Sequence, residues 1–198
     1  MRFSRVVRLL AVCSIGLASV GCSADSPTPT STVITTSPPL SSYQGLPADV
    51  TTQYYSSKSD SFAIGFPVLK TSSGNSPIIA ASNTTSDGAP VNGYMSDLSV
   101  ATLGVYSVFV EGDLHPDLPL AQINDGCHGQ PGYKQRALSN FGGNGVAAMR
   151  SDCLKLEGRQ ATVILRYQDH IYRIGADHAD RIGSASVEQF FSSFKLVG

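Results

Sequence analysis

Hydrophobic and polar positions divide the chain into three stretches of different character. Leu9 to Val20 is a run of twelve residues without a charge, closed by Gly21 and Cys22. Ser23 to Ser42 is almost wholly Ser, Thr, Pro and small apolar residues, and it carries no period that would line one face of an element. Periodicity begins only with the third stretch. Tyr54 and Tyr55 lead into Ser56-Ser57-Lys58-Ser59-Asp60, a turn. Then Phe62, Ile64 and Phe66 alternate with Ala63 and Gly65, the period of a half-buried strand, and Pro67 is expected to stop it. Thr71 to Gly88 reads as turns, with Ile78-Ile79 as a short apolar island. Tyr94 to Thr102 and Val105 to Glu111 read as strands around Gly104, followed by a loop with Pro116 and Pro119.

Leu118 to Gly145 has no readable period. The pattern then returns. Val146 to Leu156, Gln160 to Tyr167 and Ile171 to Gly175 predict three antiparallel strands, joined by turns at Glu157-Gly158 and Asp169-His170. Val187, Phe190, Phe191 and Phe194 recur at helical spacing, which predicts a final amphipathic helix capped by Ser186, with Gln189 as its capping-box partner. Its apolar stripe has only the sheet to lie on. Phe194 to Val197 is expected to close the sheet as an edge strand.

The N-terminal run sets the expected address. Arg2, Arg5 and Arg8 precede it and small residues follow it, the order of a signal peptide. Twelve residues of helix reach about 18 Å, short of a hydrocarbon core about 30 Å thick, so a permanent transmembrane helix is disfavoured. Ala18-Ser19-Val20-Gly21-Cys22 resembles the bacterial lipobox, in which the Cys is lipidated and the signal is cut before it. Gly21 and Cys22 fit that pattern, while Ser19 stands where Leu is usual. The resemblance implies a signal peptide over 1–21, a lipidated Cys22 opening a Ser/Thr/Pro-rich spacer over 22–44, and a folded domain over 45–198. The spacer is similar to those of actinobacterial lipoproteins, where Thr can carry sugar; a bare tether fits its composition equally. The expected location is the extracytoplasmic face of the cell membrane, held by lipid.

Charge and cysteine content agree with export. Of 198 residues, 14 are Lys or Arg and 15 are Asp or Glu; losing the three arginines of the signal leaves 11 against 15, a net charge of −4. Such a surface does not suit nucleic acid, which wants a basic face, nor does it bind anionic lipid by charge. Cys13 leaves with the signal and Cys22 takes the lipid, so Cys127 and Cys153 remain as a pair suited to an oxidising compartment. The competing reading makes them two ligands of a metal site with His128, but the spacing fits no zinc template.

No motif for covalent, phosphoryl-transfer or dinucleotide chemistry is present. The one polar constellation is Asp169-His170 with Asp177-His178-Ala179-Asp180, which a shared sheet end would bring together as an acid–base pair or a divalent-ion site. Its plainer reading is two solvated turns. Tyr54, Tyr55, Tyr94, Tyr106, Tyr133, Tyr167 and Tyr172 raise a second question, whether they line a glycan or peptide groove or pack as strand residues do.

Tyr55-Ser56-Ser57 with Phe62-Ala63-Ile64-Gly65-Phe66-Pro67 resembles the opening hairpin of small PsbP-like domains of bacterial envelope proteins. Ile171-Tyr172-Arg173-Ile174, followed by Phe190-Phe191-Ser192-Ser193-Phe194-Lys195-Leu196, resembles their closing strand, helix and strand. The likeness runs over Tyr54 to Leu196 and rests on core residues. It implies an α+β fold, an antiparallel sheet flanked by helices, and a binding or accessory role. The stretch before residue 145, where that family places a helix, has poor helix formers here. The expectation is therefore a non-enzymatic binding or accessory module of the cell envelope, without a cofactor or resident metal, whose partner is another envelope protein or a cell-wall component. An envelope hydrolase or metal binder using the Asp169/His170/Asp177/His178 region is the first rival. A carrier holding lipid or another small ligand between sheet and helix is the second.

Overall fold

The computed structural model describes residues 47–99, 104–156, 158–177 and 184–198. Within them the chain forms two antiparallel sheets. The smaller is led by the hairpin β1 (Val50–Ser57) and β2 (Phe62–Thr71), which pair from Val50 against Leu69 to Ser57 against Phe62. The two-residue strand β3 (Gly74–Asn75) folds back on the end of β2. The larger sheet takes β4 (Ile79–Thr84), β5 (Pro90–Asp97), β6 (Val105–Gly112), β7 (Lys134–Leu138), β8 (Ala148–Lys155), β9 (Gly158–Tyr167) and β10 (His170–Asp177). Its spatial order is β4-β5-β6-β10-β9-β8-β7. The helix α1 (Ser184–Ser193) follows, and β11 (Lys195–Leu196) pairs with the start of β2 to complete the smaller sheet.

This corrects the expected α+β class. The molecule is mostly strand, and α1 is the one α-helix among the described residues. The physical reason lies in what covers each face of the large sheet. Its inner face is covered by the smaller sheet together with α1. Part of its outer face is covered by the long β6–β7 connection. Pro116, Pro119, Gly126, Gly129, Pro131 and Gly132 bar that connection from a continuous helix, and only the 3₁₀ turn Leu120–Gln122 forms within it.

The core sits between the sheets. Phe62, Ile64, Phe66 and Val68 of β2 meet Tyr106, Val108 and Val110 of β6, Val163 and Leu165 of β9, and Tyr172 and Ile174 of β10. Aromatic rings fill the space under α1: Phe190 lies 5.7 Å from Phe66 and 5.0 Å from Tyr106, and Phe194 stacks on Phe62 at 6.0 Å. Such rings bring large buried area and prefer these tilted and offset contacts. One buried carboxylate ties the two sheets together. Asp60, in the β1–β2 turn, accepts hydrogen bonds from Ser57 Oγ (2.9 Å), Asn92 Nδ2 (2.8 Å) and the Tyr94 hydroxyl, while Tyr172 donates to its backbone carbonyl at 2.8 Å. Burial pushes the Tyr172 hydroxyl up to about 12, so it remains a donor at neutral pH.

Several local expectations shift. β2 runs through Pro67, which the sequence marks as a stop. Pro67 faces Thr52 of β1 on one side, while β11 reaches only Ala63 and Phe62 on the other, so the missing N–H lies where no ladder needs it. α1 begins at Ser184, which leaves Ser186 buried within its first turn instead of capping it. β4 lies in the stretch read as turns, and β7 in the stretch with no period. Asn140 to Gly145 forms a tight loop with five left-handed residues. At Gly142 (φ 72°) a side chain would lie 3.0 Å from the Phe194 ring.

Candidate functional site

In a strand, successive side chains leave on opposite faces, so the registers of the large sheet define rows across its outer face. One row runs Gly93, Phe109, Arg173, Ile164. The next runs Ser107, Gly175, Thr162, Ser151. A third pairs Asp177 with Gln160. The middle row consists of small residues, so it sinks between its taller neighbours. At Gly175 an added Cβ would come within 3.0 Å of Ser107 Oγ, which keeps the floor low. The result is a cleft of about 530 Å³ floored by Ser107, Gly175 and Thr162. Phe109, Arg173 and Glu111 form one wall, Asp177 and Gln160 the other; Thr85–Asp87 and Asn124–Gly126 form the ends.

The β6–β7 connection is what gives this cleft an end. It crosses the outer face and is fixed there in four ways. Ile123 packs on Ile164 and Ile171, with Leu118 and Leu120 against them. Arg166 pairs with Asp113 and donates to the carbonyls of His115 (3.0 Å) and Leu118 (3.1 Å). Arg173 pairs with Glu111 and donates to the Asn124 carbonyl at 3.2 Å. Cys127 and Cys153 form a disulfide with Cα atoms 5.5 Å apart, and both are buried. The pair is therefore a cross-link between this connection and β8, not two ligands of a metal site with His128, whose ring lies edge-on to Tyr133 at 5.4 Å. Among the described residues no three His, Cys, Asp or Glu side chains are grouped to hold a metal ion.

Asp125 anchors the turn at the end of the cleft. Its Oδ1 accepts from the backbone N–H groups of Cys127 (2.8 Å) and His128 (2.9 Å), and Oδ2 accepts from the Tyr133 hydroxyl at 3.3 Å. Burial alone would raise its pKa. The hydrogen bonds from Ser151, Cys127, His128 and Tyr133 outweigh burial and hold the carboxyl below its usual range. The charge is thus committed to the turn. Overall the cleft carries four carboxylates, Asp87, Glu111, Asp125 and Asp177, against the single guanidinium of Arg173. Gln160 Nε2 donates to Thr162 Oγ1 at 3.2 Å, while its Oε1 is buried and accepts from no donor among the described residues. Hydroxyls, amides and carboxylates facing one cavity can accept several hydrogen bonds and favour a cation.

A second cleft of about 350 Å³ lies between β8, β9 and α1. Its one buried cation, Arg150, sits 5.1 Å over the Phe191 ring and pairs with Asp152 (3.0 Å) and Glu188 (2.5 Å). That guanidinium is spent on holding α1 to the sheet.

The described members of the Asp/His constellation are not brought together. β10 starts at His170 and ends at Asp177, so the two are separated by a whole strand, about 23 Å at 3.3 Å per residue. They also leave opposite faces. His170 pairs with Asp169 at 2.8 Å in a solvated turn, and of the described members only Asp177 lines the outer-face cleft. His178 and Asp180 lie outside the described residues, as do Cys22, the signal expected over 1–21 and the spacer expected over 22–44. The tyrosines form no groove. Tyr55, Tyr94, Tyr106 and Tyr172 are buried in the core, Tyr54 is exposed, and Tyr133 belongs to the β6–β7 connection. Where α1 and its C-terminal end lie over Phe66, Tyr106 and Tyr172, the space between helix and sheets is packed with rings.

Arg166, Arg173, Asp125 and Phe109 carry this site, and no sequence motif marks them. One signal was available: Arg166 and Arg173 interrupt otherwise apolar strands, which marks a sheet face covered by something polar. No protein-family model matches the chain, and no curated protein matches it. No helix among the described residues is long and apolar enough to cross a membrane.

Proposed function

We propose that this chain is a lipid-anchored, extracytoplasmic binding module that does no chemistry of its own and takes its ligand in the outer-face cleft. The observation that carries the reading is the cleft itself: about 530 Å³, with a low polar floor, four carboxylates to one guanidinium, and a buried amide oxygen that no donor among the described residues reaches. Pockets with a few convergent polar groups are the usual places for ligands. The charge balance favours a partner that presents a protonated amine and further donors, such as a lysine-bearing segment of an envelope protein or of the cell wall. The anchor rests on the basic n-region, the short apolar run and Gly21-Cys22, and the spacer suits a domain held away from the membrane.

Two measurements test it. Trilysine and triglutamate, titrated at low salt while amide resonances are followed, should give shifts at Ser107, Thr162 and Gly175 for the first peptide only. Asp177→Asn should weaken them. Shifts confined to other surfaces, or equal responses to both peptides, would sink the assignment of the cleft. Separately, Cys22→Ala should move the protein from the membrane fraction to the soluble one. Retention on membranes after a high-salt wash would remove the lipid anchor from the reading.

A further inference from the structure

The walls and floor of the outer-face cleft ask for different chemistry from one ligand. Phe109 is the one large apolar side chain among the described residues that line it, and it is 42% exposed. Its ring lies across Gly93 of β5, where a Cβ would come within 2.9 Å of it. Glycine there leaves the ring room to lie down on the sheet. Everything facing that ring is polar. Ser107 and Thr162 bring hydroxyls to the floor, and Asp177 brings a carboxylate to the far wall. Gln160 stands beside it, and its Oε1 accepts from no donor among the described residues. A ligand for this surface carries an apolar face for the ring and several donors around its edge. Arg173 stands next to Phe109 and is paired with Glu111, so a positive charge on the ligand belongs at the Asp177 end.

Length narrows the choice. Phe109 is in register with Arg173, and Asp177 lies four residues further along β10, about 13 Å away at 3.3 Å per residue. A single lysine is a point charge on a four-carbon stem and spans only part of that distance. A pyranose ring has both required features in one body, with C–H bonds on its face and hydroxyl donors around its edge. Two rings joined in line cover the span. We propose that the cleft takes a β-1,4-linked disaccharide unit of amino sugars with free amines, one ring lying on Phe109 and the amine of the other meeting Asp177. This rests on the reading of the cleft as the ligand site and narrows its amine-bearing partner to a saccharide. Phe109 is the platform that selects a ring, and Asp177 is the group that selects an unacetylated amine.

The test is a titration of the full chain in detergent with the β-1,4-linked disaccharide of glucosamine, following amide and aromatic resonances. Its N-acetylated form, cellobiose and trilysine serve as comparisons. The glucosamine disaccharide should shift the Phe109 ring together with the amides of Ser107 and Thr162. Its dissociation constant should be several-fold lower than those of cellobiose and the N-acetylated form. Phe109→Ala should weaken it about tenfold through loss of the ring contact, and Phe109→Tyr should restore it. Ile79→Ala, on β4 outside the cleft, should leave binding unchanged. Wild-type affinity in Phe109→Ala, or Phe109 ring resonances that stay in place, overturns the inference. Equal affinity for the acetylated and free disaccharides overturns the amine at Asp177. Floor shifts with trilysine but none with the disaccharide overturn the saccharide and leave the cleft as the ligand site. No shift with either removes both readings.

Discussion

Over β8, β9 and β10 the outer face of the large sheet is roofed by the β6–β7 connection, which is held by an apolar cluster, two arginines and a disulfide. Over β4 and β5 no described segment covers the same face, and Ile79 of β4 and Phe109 of β6 meet solvent. One sheet therefore uses one face in two ways. The roofed half belongs to the folded unit and lends it stability. The bare half contributes little stability and is left to whatever the protein meets. The candidate cleft lies along the boundary between them, where the connection ends and the floor of small residues begins.

The largest expected effect separates the halves directly. Ile164→Ala removes a wholly buried side chain under the roof and should cost about 3–4 kcal/mol in urea unfolding. A loss under about 1 kcal/mol would mean that the roof is loosely packed. Replacing Cys127 and Cys153 together by Ala should cost about 3 kcal/mol on the chain-entropy account, for a loop closed across 26 positions. Amides of residues 118–133 should then exchange faster while those of β5 keep their rates. Uniform acceleration across both halves would show that the roof is not a separate unit.

Asp125→Asn should cost about 1–2 kcal/mol at pH 7, because the turn loses an ionised acceptor for its two backbone N–H groups. The sign with pH follows from the lowered carboxyl. Its contribution is fully present above the unfolded-state value of about 4 and is lost as pH falls through the lower folded-state value. The gap between wild type and variant should close in that acid range; a gap that stays constant from pH 7 to below that range would place its cause elsewhere. The smallest effect is on the bare half. Phe109→Ala should change stability by no more than about 0.5 kcal/mol. A loss as large as that at Ile164 would make the bare half part of the core.

Much of the strand order was legible because alternation survives wherever one face is buried. Phe62, Ile64 and Phe66, and the three strands from Val146 to Gly175, fall close to their expected places with antiparallel pairing. β4 was not legible, because an edge strand exposed along its whole length needs no alternation. β7 was hidden for a similar reason, since Lys134, Arg136 and Ala137 are exposed. The site was hardly legible at all. Its floor is Ser107, Gly175 and Thr162, three unremarkable residues from three strands that become neighbours only through register. The Asp/His constellation was expected to meet at a shared sheet end; His170 and Asp177 instead begin and end one strand of eight residues, so those two stand a strand's length apart.

By itself the sequence determined what depends on local composition and period. The apolar run before Cys22, the Ser/Thr/Pro-rich composition that follows it, the alternating strands and the final helical stripe each follow from neighbouring residues. The pairing of Cys127 with Cys153, expected on the reading that assigns Cys13 to a signal and Cys22 to an anchor, is present as a disulfide. Only the tertiary structure decided what covers the sheet. The choice between flanking helices and a second sheet with a stapled connection is made by contacts between distant segments. Arg166 with Asp113, Ile123 with Ile164, and Phe190 with Phe66 are such contacts. Their energies appear only when the faces meet, and no local pattern records which face will meet which.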